Sequence, residues 1–227
     1  MEIYGWGRYP KINAQVTFPL SFTECTNAIS FSAGWIARGL GRSYGDSSMA
    51  PHVLEIKYLD HLFDFDSNTG ILTCSAGISL DEILRVFVPR GWFLPVTPGT
   101  KFVTIGGAIA SDVHGKNHHI DGTLTEHVQT IELLLGNGER VMASALMHPE
   151  LFRATCGGMG LTGIILSASI KLRRIKSSDI LQTTIKAPCL ELALEQFEVN
   201  STSTYSVAWV DCSARGRHLG RSVLMLG

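Results

Sequence analysis

The residues best placed to do chemistry fall in two glycine-rich segments: Ala37-Arg-Gly-Leu-Gly-Arg-Ser-Tyr-Gly-Asp-Ser47 and, further along, Thr104-Ile-Gly-Gly-Ala-Ile-Ala-Ser-Asp-Val-His-Gly-Lys-Asn-His-His119. Glycine costs backbone entropy but lets main-chain N–H groups approach a ligand closely. Two glycine runs set among Arg, Ser, Asp and His therefore suit a phosphate-bearing ligand, and a large anionic cofactor is the natural one. Neither widespread nucleotide fingerprint is present. Gly39 and Gly41 are followed by Gly45 instead of a glycine three residues on, and no Gly-Lys-Ser/Thr occurs. A nicotinamide Rossmann domain and a P-loop are thereby disfavoured.

Each segment also has a plainer reading. The first could be a tight surface turn that needs only positive φ, although such a turn has no use for Arg38, Arg42 and Asp46 around it. The near absence of side-chain volume in 106–110 also suits close helix packing in a core. A further rival is a metal site made by His114, His118, His119 and Asp112 or Asp121. It is the weaker reading, because joining His114 to His118 at i, i+4 needs a helix through Gly115, Lys116 and Asn117, a poor helix-forming stretch.

The elements that must hold these segments are marked at their ends. Ser21 with Glu24, and Ser79 with Glu82, have capping-box form and predict a helix after each. After Ser79, the spacing of Leu80, Ile83, Leu84, Phe87 and Val88 is that of a core-facing stripe, which Pro89 and Gly91 end. Residues 34–37, 52–56 and 70–76 read as short strands, giving with the helices a small α/β unit. From residue 126 the pattern changes to a hairpin, 128–135 and 140–143 about Gly136-Asn-Gly138. His148-Pro149 then opens a short helix that Gly157-Gly158 closes, and 161–172 is a β-branched run that predicts antiparallel strands.

The polar run 173–179 marks a boundary, beyond which 180–186 reads as a strand, 188–199 as a helix and 205–211 as a strand. The expected fold is α+β: a first domain over 1–175 built of two α+β subdomains, and the start of a second α+β domain over 176–227. The apolar run at 221–227 has no cap, turn or polar tail, so the second sheet is expected to be incomplete and the chain truncated.

With 227 residues, 45% of them hydrophobic, the chain can bury a substantial core. A net charge of -1 with both signs interleaved leaves no footprint for a nucleic acid and at most peripheral contact with a membrane. There is no basic n-region and no apolar run of about 18 residues, so a soluble, cytoplasmic protein is expected. The five cysteines are widely spaced without a Cys-x-x-Cys pair, which predicts free, mostly buried thiols.

Five stretches occur in order through nearly the whole chain: Gly5-Trp-Gly-Arg8, Arg38 to Asp46, Pro98-Gly-Thr100, His114 to His119, and Gly157-Gly-Met-Gly-Leu-Thr-Gly-Ile-Ile165. Together they resemble the two-domain flavoenzymes of the vanillyl-alcohol-oxidase type, whose first domain is the FAD-binding PCMH-type fold, and among them the oxidases of polyprenyl-phosphoryl ribose. The resemblance implies FAD, wrapped at its pyrophosphate and ribityl portions by Ala37, Arg38, Gly39, Leu40, Gly41, Arg42, Ser43, Tyr44, Gly45, Asp46 and Ser47. Further cofactor contacts carried over by it are Gly99, Thr104, Ile105, Gly106, Gly107, Ser111, Asp112, Val113, His114 and Ile165. It places His114 and Lys116 beside the flavin ring as catalytic residues, where a cation stabilises charge on a sugar hydroxyl or on reduced flavin.

The reaction it implies is oxidation of a sugar secondary alcohol, at C2 of a polyprenyl-phosphoryl ribose, with a separate NADH-dependent reductase completing epimerisation to the arabinose. An aldonolactone or alditol oxidase that makes hydrogen peroxide, or a flavin-binding module without turnover, are the alternatives. Some relatives hold FAD covalently through a His in the first loop or a Cys in the second. Here Arg42 takes the first place and no cysteine lies between Cys74 and Cys156, so non-covalent FAD is expected. Trp209 matches a strand tryptophan of the family's substrate domain, which the resemblance turns toward the pocket, but an aromatic at alternating strand spacing is more often core, and the core is the expectation. No role for Trp6 and Arg8 follows from the sequence.

Overall fold

A computed structural model describes residues 1–30 and 34–227. The chain opens with a hairpin, β1 (Glu2–Tyr4) antiparallel to β2 (Lys11–Asn13), and runs on into β3 (Gln15–Thr17). Helix α1 (Phe22–Ser30) starts where expected, with the Glu24 amide donating to Ser21 Oγ at 3.2 Å. The Glu24 carboxylate accepts from the Leu20 amide instead of that of Ser21, so only half of the expected box closes. β4 (Trp35–Arg38) and β5 (His52–Glu55) follow, and β3 and β4 flank β5 in a parallel sheet. Parallel neighbours need a long crossover. Between β4 and β5 that crossover is the first glycine segment, which must arch over the sheet end to reach the next strand.

The second sheet is antiparallel. It is formed by β6 (Leu62–Asp66), β7 (Ile71–Ser75), β9 (Val128–Leu134), β10 (Arg140–Ala143) and β11 (Ile164–Lys171) in the order β10-β9-β11-β7-β6. Between β7 and β9 lie α2 (Leu80–Phe87), β8 (Trp92–Phe93), α3 (Ile105–Ala110) and α4 (His118–Asp121); α5 (Pro149–Thr155) precedes β11. The Ser79 capping box forms in full, and Leu80, Ile83 and Phe87 face the core as the stripe requires. The main core gathers fully buried Leu72, Ile83, Ile105, Ile109, Leu124, Ile131 and Leu133 between α2, α3 and this sheet.

β12 (Arg173–Arg174) pairs with β8, and the Ile175 amide donates to Gly91 O, so the expected boundary run begins inside the first unit. The C-terminal unit holds β13 (Thr183–Ala187), α6 (Leu190–Val199), β14 (Ser206–Val210) and β15 (Ser222–Leu226), with an antiparallel sheet ordered β13-β15-β14. The strand expected over 180–186 thus starts later, and Ile180 and Leu181 are exposed. Helix α6 covers one face of this sheet through Ala187, Ala193 and Leu224, with Ile185, Phe197 and Ala208 packed around them.

The core expectation for Trp209 is corrected: it is 79% exposed. Ala208 takes the helix-facing side, and strand alternation puts its neighbour on the opposite face. All five cysteines are free, and burial pushes the thiols of Cys25 and Cys74 up to about 12. Among the described residues no helix is long and apolar enough to cross a membrane.

Candidate functional site

The two glycine segments touch. A β-carbon on Gly39, just past the end of β4, would collide with the side chain of Thr104, the residue that caps α3. Thr104 is fully buried and its Oγ1 accepts the Gly107 amide at 3.1 Å, which fixes the start of that helix. Gly106 is pressed on the other side against Ala76, whose Cβ would lie 2.8 Å from an added β-carbon. The third glycine stretch closes the arrangement, with the Gly157 amide donating to Ile109 O at 3.1 Å and the Met159 amide to Ala110 O at 2.8 Å.

These three pieces line one cleft, open to solvent. Of the expected cofactor residues, Ala37, Arg38, Gly39, Ser43, Ser47, Gly106, Gly107, Ser111 and Ile165 line it. Ser48, Ile56, Ala110, Met159, Gly160 and Gly163 line it as well. Gly160 stands in the Gly157 to Ile165 stretch, one of the five that carry the family resemblance. Ser48 and Met159 take left-handed backbone, φ 57° and 53°, which their residue types do not announce.

The first segment is braced from behind. The Trp6 amide donates to Ser43 O at 2.9 Å, the Trp6 and Tyr44 rings meet edge-on at 5.8 Å, and Gly5 is so close that a β-carbon would lie 2.5 Å from Ser43 O. The Arg8 amide donates to Gly5 O at 3.0 Å and closes the turn. The N-terminal Gly-Trp-Gly-Arg stretch is therefore a prop for the glycine loop.

Arg38 joins the two. Its Nη2 donates to Tyr4 O at 2.6 Å and its Nε lies 3.8 Å from the Glu55 carboxylate, which also takes Lys57 Nζ at 2.6 Å. Burial lowers the pKa of the Arg38 guanidinium and Glu55 opposes that shift. Its Nη1 is buried without a hydrogen-bond partner among the described residues.

Other expected residues stand off the cleft. Leu40, Gly41, Arg42, Tyr44, Gly45 and Asp46 form the outer arc of the loop, where Gly41 and Gly45 supply positive φ of 66° and 56°. Arg42 Nη1 is spent on Leu40 O at 2.6 Å. Gly99 has open space around it. Thr104, Ile105 and Val113 support the lining from within the core. Asp112, at φ 40°, accepts Thr125 Oγ1 at 2.6 Å and ties down the end of α3.

His114 and Lys116 lie beyond Ser111 on an exposed turn that faces the C-terminal unit; His114 bridges to Thr123 and the Lys116 carbonyl accepts the Ser206 amide at 2.9 Å. The rings of His114, His118 and His119 stand edge-on in series, each 5.8 Å from the next. Among the described residues no three His, Cys, Asp or Glu side chains converge to hold a metal.

The lining tests well against a dinucleotide flavin. A phosphate or polyol needs donors, and the hydroxyls of Ser43, Ser47, Ser48 and Ser111 and the unpartnered Arg38 nitrogen supply them. A flat ring needs a wall without side chains, and Gly106, Gly107 and Ala110 give one.

Comparison with known proteins agrees. The family model described as FAD binding domain matches residues 24–144. The decaprenylphosphoryl-beta-D-ribose oxidase of Mycolicibacterium smegmatis is 37% identical over 236 aligned residues, covering 100% of this chain and 51% of that protein. The D-arabinono-1,4-lactone oxidase of Eremothecium gossypii is 29% identical over 59% of this chain and 24% of its own length. Cytokinin dehydrogenase 4 of Arabidopsis thaliana is 31% identical over 50% of this chain and 22% of its own. The chain spans about half the length of the first of these relatives and less of the others. With the match running through both glycine segments that close on the cleft, the chain belongs to the FAD-binding domain family, and FAD is its cofactor.

Proposed function

We propose that this chain forms the FAD-binding part of an oxidoreductase that oxidises a secondary alcohol of a sugar, namely C2 of a polyprenyl-phosphoryl ribose. The reaction is one half of a ribose-to-arabinose epimerisation, completed by a separate NADH-dependent reductase in the cytoplasm. The observation that carries the reading is the interlock of Gly39 with Thr104, which brings both glycine segments to one cleft. The match of the whole of this chain to 51% of a decaprenylphosphoryl-beta-D-ribose oxidase supports the substrate class.

Bound FAD supplies the hydride acceptor. Amides and hydroxyls of 37–48 hold the pyrophosphate and ribityl portions without a covalent link, and Gly106, Gly107 and Ala110 leave room for the ring. Ile165 and Met159 form the wall between them, while Asp112 and Val113 keep Ser111 in place. Lys116 and His114 attend the sugar, where positive charge lowers the energy of an oxygen losing its proton.

The test is an absorption spectrum before and after added FAD, then anaerobic addition of a prenyl-phosphoryl ribose. Flavin bands that shift as added FAD binds, pass into the supernatant and leave a colourless pellet when the protein is precipitated with acid, and bleach with the sugar are the expected result. A protein that takes up no FAD ends the reading. Unchanged absorbance with the sugar, together with hydrogen peroxide from an aldonolactone in air, would instead favour the lactone-oxidase alternative that the Eremothecium relative suggests.

A further inference from the structure

Asn117 is completely buried, and its Nδ2 donates in two directions, to Pro95 O at 2.8 Å and to Asp121 Oδ2 at 2.7 Å. Pro95 lies on the segment that leads into the second glycine stretch, and Asp121 ends α4. The other oxygen of Asp121 receives the Arg173 guanidinium from β12, and its carbonyl pairs with His127 Nε2 at 2.9 Å. Gly115 is wedged beneath: a β-carbon there would lie 2.9 Å from Thr97 O and 2.5 Å from Asn117 Oδ1. On its outer side the same stretch meets the C-terminal unit, through the Lys116 carbonyl with the Ser206 amide and His119 Nε2 with Ser203 O, both at 2.9 Å. Among the described residues no other hydrogen bond or ion pair joins 1–175 to 176–227.

A buried amide that spends its hydrogens on two separate segments is costly to leave unpaired, so it fixes their relative position where an apolar side chain would only fill space. We infer that Asn117 is a positioning residue: with Asp121 and Arg173 it fixes the Gly115-Lys116 turn, so that the placement of Lys116 and the docking of the C-terminal unit are set together. The importance of Lys116 rests on the function proposed above. The docking role does not.

Amide hydrogen exchange on the parent, Asn117→Asp and Arg173→Gln proteins, beside an FAD titration of each, tests this. Asn117→Asp keeps the shape, removes the amide donor and sets a second carboxylate against Asp121. Arg173→Gln loosens the same clamp from its more accessible end. Exchange at the Ser206 amide is expected to rise roughly tenfold in both, as when one buried hydrogen bond is lost, while β9, β11 and FAD affinity stay at parent values. Unchanged exchange at Ser206 overturns the inference. Loss of protection throughout β9 and β11 in both variants also overturns it, because these residues would then hold the domain and not the turn. A parent protein without FAD affinity, combined with the Ser206 effect in the variants, would sink the functional reading and leave the clamp standing.

Discussion

Gly39 has no room for a second carbon, and this sets what can be done at the cleft. Gly39→Val drives two methyl groups toward the Thr104 side chain that caps α3. Overpacking of this kind costs about 1–3 kcal/mol, and any outward shift of the loop withdraws its amides from the cofactor. Thermal melting should fall, and FAD titration should show about tenfold weaker binding, the factor that 1.4 kcal/mol represents. Parent-like FAD affinity in this variant would mean that the loop does not grip the cofactor. The glycines are legible in the sequence as points of close approach, since a plain surface turn has no use for Arg38, Arg42 and Asp46 beside them. The sequence could not name what they approach, because Thr104 and Ala76 come from other elements.

Elements with local signatures were legible: the Ser79 box and its stripe, the hairpin about Gly136-Asn-Gly138, and the proline-started α5 all stand where the sequence predicted them. The shortest strands were not. β1, β2 and β3 have three residues each, too few for an alternating pattern to show. That hairpin nevertheless shapes the site, since its Gly5 and Trp6 hold the Ser43 carbonyl. Gly5→Val is therefore expected to weaken FAD binding by several-fold, although Gly5 is no part of the cleft lining, while core stability loses no more than about 1–2 kcal/mol. Flavin fluorescence titration beside urea unfolding separates the two effects. An unchanged affinity would show that the prop is dispensable. Trp209 was misread because strand alternation fixes two faces without saying which one α6 will cover.

For the whole molecule, two carboxylates couple the fold to pH. Burial opposes ionisation of Asp121, but the hydrogen bonds from Arg173 and Asn117 outweigh it and hold the carboxyl below its ordinary range. Asp81 is lowered by its hydrogen bond from Lys101 and then by the charge of Arg85. Groups depressed in the folded state add stability above their unfolded value near 3.9, and lose it as pH falls through the lower folded value. Melting temperature should therefore drop steeply below about pH 4, and the Asp81→Asn/Asp121→Asn double variant should start lower and fall less. Equal acid slopes in both proteins would remove these residues from the account.

The order β10-β9-β11-β7-β6 has a consequence for a chain still on the ribosome. Its middle strand, β11, is synthesised last of the five, so the earlier strands wait as two separated pairs until residues near 171 have left the exit tunnel. Ile165 lies on that strand. Nascent protein should accordingly be unable to capture its flavin until the sheet is joined, which makes cofactor loading one of the last events in the biogenesis of this domain.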